Sequence, residues 1–102
     1  MIPNFATNLR EMTCIAGEDL NVTELLLGYP IPEVVVKKNG VEITEHHGLS
    51  LDWKKESVHF QLKNTCVDDS GEYSLIASNS VGSDTLRVLL NVIGKFFIIS
   101  KF

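Results

Sequence analysis

The side chains best suited to chemistry are two adjacent histidines, His46-His47, with Glu42 and Glu45 close by. Imidazoles and carboxylates are the ligands of many transition-metal sites, which need three or four of them converging on one point. Neighbouring residues on a strand face opposite ways, so the two rings converge only within a loop. A carboxylate pair, Asp68-Asp69, could serve acid–base work, but Asp69 opens Asp69-Ser70-Gly71, a turn sequence that accounts for it. Ser70 lacks the strand-to-helix elbow that exposes a nucleophilic serine. Cys14 and Cys66 are too few for a disulfide framework and, alone, too few for zinc. No glycine-rich phosphate loop is present. The reading is a chain with no catalytic, cofactor-binding or metal site, and therefore not an enzyme.

The elements that position these residues belong to a small folded domain. The chain has 102 residues, 44% hydrophobic and 22% charged, which suits one soluble core. A net charge of −4 and an isoelectric point near 5.2 argue against nucleic acid, which calls for a clustered basic face. The basic pairs Lys37-Lys38 and Lys54-Lys55 read as solvated positions. Apolar runs such as Leu25-Leu26-Leu27 and Phe96 to Ile99 fall far short of the ~20 residues of a membrane-spanning helix, so no membrane insertion is expected. Met1-Ile2-Pro3-Asn4 has neither the basic region nor the apolar run of a signal peptide. Asn21-Val22-Thr23 is a glycosylation sequon, meaningful only in a secreted protein.

Short β-type runs broken by turn residues fill most of the chain. Leu20, Val22 and Leu26 share one face of a strand, with Asn21 and Thr23 on the other. An alternative register, with a bulge near Thr23, sends Leu25 and Leu27 inward instead. Gly28-Tyr29-Pro30-Ile31-Pro32 is a turn, because proline fixes φ and biases its predecessor away from helix. Glu33 to Lys38 is a strand, Asn39-Gly40 a tight hairpin turn tolerant of positive φ, and Val41 to Thr44 the return strand. Residues 45–57 show the least regular pattern; they hold both adjacent histidines and Trp53, which is expected to pack on the sheet edge. Val58, Phe60 and Leu62 alternate with polar residues as a half-buried strand. Glu72 to Ser78 and Ser83 to Val92 are two more. Seven or eight strands at this spacing predict an all-β sandwich, with a barrel as the structural alternative.

Asp69-Ser70-Gly71-Glu72-Tyr73 followed by Ala77-Ser78-Asn79-Ser80-Val81-Gly82 resembles the F strand and F–G hairpin of I-set immunoglobulin domains. Gly17-Glu18-Asp19-Leu20 resembles the A′–B turn, Gly28-x-Pro30-x-Pro32-Glu33-Val34 the B–C connection, and Lys38-Asn39-Gly40 the C–C′ turn. Ile2-Pro3-Asn4-Phe5 with Leu9 looks like the A strand of the domains in muscle giants such as titin, twitchin and obscurin. The resemblance covers residues 2 to 92. It implies an immunoglobulin-like (I-set) sandwich of two antiparallel sheets over residues 2–93, followed by a C-terminal tail, 94–102. It also implies a corner in which the Tyr73 hydroxyl bonds back to upstream backbone, with Asp69 and Gly71 forming the turn.

Laid on the family pattern, Glu24 falls in the strand B cysteine slot, Leu75 in the strand F slot and Val36 in the slot of the buried strand C tryptophan. The usual inter-sheet disulfide and core Trp are therefore absent, which tilts the reading towards the cytosol, where disulfides do not persist. Cys14 is expected inward on strand A′ and Cys66 exposed near the E–F turn, both free. Glu24 is expected to enter the core unpaired and to weaken the fold. The resemblance implies a non-catalytic spacer, mechanical element and docking surface of a muscle cytoskeletal protein in the sarcomere. Strand A′ (Met12 to Ala16) paired with G (Thr85 to Val92) would bear load. Partners would be neighbouring immunoglobulin- or fibronectin-like modules and cytoskeletal proteins. The competing reading is an extracellular adhesion or receptor domain.

Overall fold

The computed structural model describes residues 1–43, 48–52 and 55–94. Glu45, His46, His47, Trp53, Lys54 and the segment Phe96 to Ile99 lie outside the described residues, and so do the metal and edge-packing expectations placed on them. Among the described residues the strands are β1 (Asn4–Phe5), β2 (Leu9–Ile15), β3 (Leu20–Leu27), β4 (Glu33–Lys38), β5 (Val41–Glu42), β6 (Gly48–Asp52), β7 (Ser57–Leu62), β8 (Gly71–Ser78) and β9 (Ser83–Ile93). Strand β6 lies inside the stretch read as irregular, so that reading is corrected: Gly48, Ser50 and Asp52 weaken the strand signal, and pairing with β7 supplies the order.

The strands form a four-stranded sheet in the order β1-β3-β7-β6 and a five-stranded sheet in the order β2-β9-β8-β4-β5. Every pairing is antiparallel except one: β2 runs parallel to β9 from Leu9↔Arg87 to Ile15↔Ile93. The core sits between the sheets and is built by period-two alternation. In β3, Leu20, Val22 and Leu26 are buried while Leu25 is 47% exposed. The bulged register is thereby excluded, since a one-residue slip would exchange the two faces. Val58, Phe60 and Leu62 of β7 face Tyr73, Leu75 and Ala77 of β8 and Leu86, Val88, Leu90 and Val92 of β9 in one cluster. Fully burying side chains of this size contributes roughly 1.5–3 kcal/mol each.

Turn chemistry sets where the strands reverse. Asn39 and Gly40 take φ of 50° and 87°, the two positive values that match a tight turn to strand twist. Residues 67–69 form one 3₁₀ turn. Met1 and the end of β9 lie at opposite poles. Met1 exchanges backbone hydrogen bonds with Tyr29, and its carbonyl accepts from the Asn79 side chain, placing it beside the B–C and F–G loops. Strand β9 ends beside Ala16, whose N–H donates to the Ile93 carbonyl, and next to Val67.

Candidate functional site

Three local arrangements carry the candidate residues. The first is the corner between β7 and β8. Tyr73 is 2% exposed, and its hydroxyl donates to the Asp69 carbonyl at 2.5 Å. Asp69 in turn accepts from the Cys66 N–H at 2.8 Å, closing the 3₁₀ turn. Burial pushes the Tyr73 hydroxyl pKa up to about 12, with the nearby Asp69 and Cys66 charges adding to it. Lys38 lies over the Tyr73 ring at 5.7 Å and donates to the Asp68 carbonyl, so the C–C′ hairpin leans on the same corner. Gly71 has φ +150°, and a Cβ there would stand 3.0 Å from the Asn39 side chain. That close approach lets Asn39 accept from the Glu72 N–H and lock the hairpin onto β8.

The second is the parallel pair of first and last long strands. The Ala16 N–H donates to Ile93 and the Asn8 carbonyl accepts from Arg87. The Ile15 N–H instead turns outward to Glu18 Oε1 at 2.7 Å. By alternation, even-numbered residues of β2 face β9 and odd-numbered ones face away. Glu18 therefore caps the outer edge of β2 at Ile15. Beside this pair, Arg87 grips Glu72 with two 3.1 Å bonds. Those bonds hold the Glu72 carboxyl below its ordinary range and raise the guanidinium.

The third is Glu24. It is buried at 4% exposure, as its alternation requires, but it is not unpaired. Oε2 accepts from the Thr7 N–H at 2.5 Å and the Thr7 hydroxyl at 2.6 Å, and Oε1 stands 3.5 Å from Arg10 Nε. The expectation of an uncompensated core carboxylate is corrected. A buried charge survives when bonded and paired, and the acceptor-hungry groups come from the bend between β1 and β2, which carries no sequence signature. Val36 and Leu75 are cross-strand partners, 2% and 0% exposed, whereas Glu24, from the other sheet, turns its carboxylate to Thr7.

Several contributors were invisible to sequence reasoning. Thr65 is 1% exposed; its hydroxyl donates to the Glu18 carbonyl and lies 3.4 Å from Cys14 Sγ. Cys14 is partly buried and Cys66 exposed, and both are free, as the sequence reading expected. Asp84 accepts from Phe5 across the edge of the sandwich. Among the described residues no group of three or more His, Cys, Asp or Glu could hold a metal ion, and no helix is long and apolar enough to cross a membrane.

Two facing sheets, a tyrosine-pinned corner and a first strand that switches sheets at its midpoint define an immunoglobulin-like sandwich. A model of the immunoglobulin I-set domain matches residues 3–92, and the chain belongs to that family. It is 36% identical over 83 residues to the striated-muscle M-protein of Gallus gallus, covering 79% of this chain and 6% of that protein. It is 31% identical over 91 residues to the muscle M-line assembly protein unc-89 of Caenorhabditis elegans, covering 89% of this chain and 1% of that protein. The chain thus spans a small fraction of these two relatives. A crystal structure of the titin domains Z1Z2 in complex with telethonin superimposes with a TM-score of 0.80 at 29% identity, covering 92% of this chain and 48% of that one. The relatives are muscle proteins, and the family is a non-enzymatic one.

Proposed function

We propose that this chain is a non-catalytic spacer and docking module of a multidomain muscle cytoskeletal protein, bounded by residues 2–93 and working inside the cell. One observation carries the reading: the first and last long strands run parallel along seven residue pairs, from Leu9↔Arg87 to Ile15↔Ile93, with Met1 and the end of β9 at opposite poles. Tension applied at the ends then slides β2 along β9 and loads their hydrogen bonds together, whereas an antiparallel hairpin would open one bond at a time. Two free cysteines support a reducing compartment. The relatives' muscle setting supports the sarcomere, and the titin Z1Z2 complex with telethonin supports protein partners rather than small molecules. Tyr73, Asp69, Gly71, Val36, Leu75 and Glu24 serve as the structural residues that keep the module folded without a cross-sheet disulfide.

Single-molecule pulling through the two termini tests the mechanical part. Met12 lies on the ladder side of β2, so Met12→Pro removes a donor to β9, while Thr13→Pro removes an N–H that faces outward. The rupture force is expected to fall markedly in Met12→Pro and little in Thr13→Pro. Equal forces in both variants and the parent chain would overturn the load path.

A further inference from the structure

A side-chain amide is open to attack by the next backbone nitrogen when the next residue is glycine, which has no side chain to block the approach. The chain has one such pair, Asn39-Gly40, at the tip of the hairpin between β4 and β5. Both residues are exposed, so water reaches them. In the reaction the Gly40 nitrogen bonds to Asn39 Cγ and the Cγ–Nδ2 bond breaks. The proton of the Gly40 N–H passes through solvent to the departing amide, which leaves as ammonia. The five-membered imide then takes up one water and opens at either carbonyl. One opening leaves an aspartyl group at position 39. The other leaves an isoaspartyl group, whose main chain runs through the former side chain and is one carbon longer. Water is the only co-reactant, and nothing is oxidised or reduced.

The closed hairpin forbids that attack, which requires the Gly40 nitrogen on the same side of the Cα–C bond as Asn39 Cβ. Asn39 has φ 50°, in the left-handed region, where a ψ of roughly +47° turns the next nitrogen almost opposite to Cβ. The amide is also held. Asn39 Oδ1 accepts from the Glu72 N–H at 3.0 Å, and the Asn39 N–H donates to the Glu72 carbonyl at 2.8 Å. Little keeps this arrangement closed. Strand β5 is the edge of its sheet and pairs with β4 at two positions, Lys37↔Glu42 and Lys38↔Val41. The Ile43 N–H adds a bond to the Val36 carbonyl at 3.0 Å. Val41 and Glu42 are exposed, and Ile43 alone of these three packs on the core. We propose that Asn39 is a self-modification site gated by the hairpin, converting only while the tip is released from Glu72. An aspartyl product tolerates the left-handed backbone and still accepts from the Glu72 N–H, so the tip closes again. An isoaspartyl product no longer fits the two-residue turn, and β5 stays off. Asn79, before Ser80, is the internal reference: its amide donates to the Met1 and Pro30 carbonyls and accepts from the Val81 and Gly82 N–H groups.

Peptide mapping by mass spectrometry tests the gate, on the full chain incubated at neutral pH folded and in urea. Conversion at Asn39 is expected to be about tenfold or more slower in the folded chain, because an open minor state holds only about 0.1–10% of the molecules. It should still outpace conversion at Asn79 in the same folded sample. Gly71→Ala, whose new Cβ would stand 3.0 Å from the Asn39 amide, should speed folded-state conversion severalfold. Val88→Ala weakens the core far from the hairpin and should leave the rate unchanged. Hydrogen exchange in the parent chain gives a reading that needs no variant: the Asn39 and Ile43 amides should exchange faster than Val88 and Leu90 of β9. Equal conversion folded and in urea would overturn the gate. So would a rate that rises as much in Val88→Ala as in Gly71→Ala, or hairpin amides that exchange no faster than those of β9. The isoaspartyl fraction, separated by ion exchange, should show fast-exchanging hairpin amides, while Asn39→Asp keeps them protected. Protected amides in the isoaspartyl fraction would overturn the one-way step.

Discussion

Replacing Tyr73 with Phe deletes one oxygen from the corner and nothing else. The ring keeps its place at 5.7 Å from Phe60 and under Lys38. The lost bond is a neutral hydroxyl-to-carbonyl bond, which contributes about 0.5–1.5 kcal/mol net. Asp69 is half exposed, so its carbonyl recovers water and the cost falls near 1 kcal/mol. For a domain of this size that lowers the melting temperature by roughly 4–8 °C. Urea titration should show an earlier midpoint with unchanged m, the mark of lost stability without a changed fold. The hydroxyl also has a signature in pH. Its folded pKa, about 12, lies above the ordinary tyrosine value of 10.0, so between these values the folded state keeps a proton that the unfolded state releases. Stability is fully present below pH 10 and is lost as pH rises through 12. Tyr73→Phe should remove that alkaline decline. An unchanged midpoint together with an unchanged alkaline slope would refute the corner.

Thiol titration of unreduced protein should find Cys14 and Cys66 both free, with exposed Cys66 reacting first; no free thiol would contradict the intracellular placement. Glu24→Leu should destabilise by about 1–3 kcal/mol, because Thr7 loses its acceptor and Arg10 its partner; a gain in denaturation midpoint would return Glu24 to the status of a defect. Gly71→Ala should cost about 1–3 kcal/mol, since a side chain at φ +150° is strained and its Cβ crowds Asn39; a neutral denaturation curve would show that the hairpin lock gives way freely.

Much of the sandwich is legible from local rules. The Leu20-Val22-Leu26 face, the Val58-Phe60-Leu62 alternation and the Asn39-Gly40 turn each follow from side-chain period or backbone freedom, properties of a few adjacent residues. What sequence reasoning missed is long-range. Strand β6 is stabilised by β7 rather than by its own residues. The partners of Glu24 lie 17 residues earlier in the chain, at Thr7, and the acceptor of Phe5 lies 79 residues on, at Asp84. A buried carboxylate reads as a flaw until the tertiary fold brings an N–H to it. The pairing of β2 with β9 was expected, but from the family resemblance and not from local pattern, since both strands carry ordinary alternation.

The claim that this is an intracellular muscle module is tested most directly by its place in tissue. An antibody raised against the exposed loop from Tyr29 to Ile31, applied to striated muscle of the organism that encodes the chain, is expected to label a regular sarcomeric striation, and only after permeabilisation. Labelling of the surface of intact cells, with glycan on Asn21, would contradict the account.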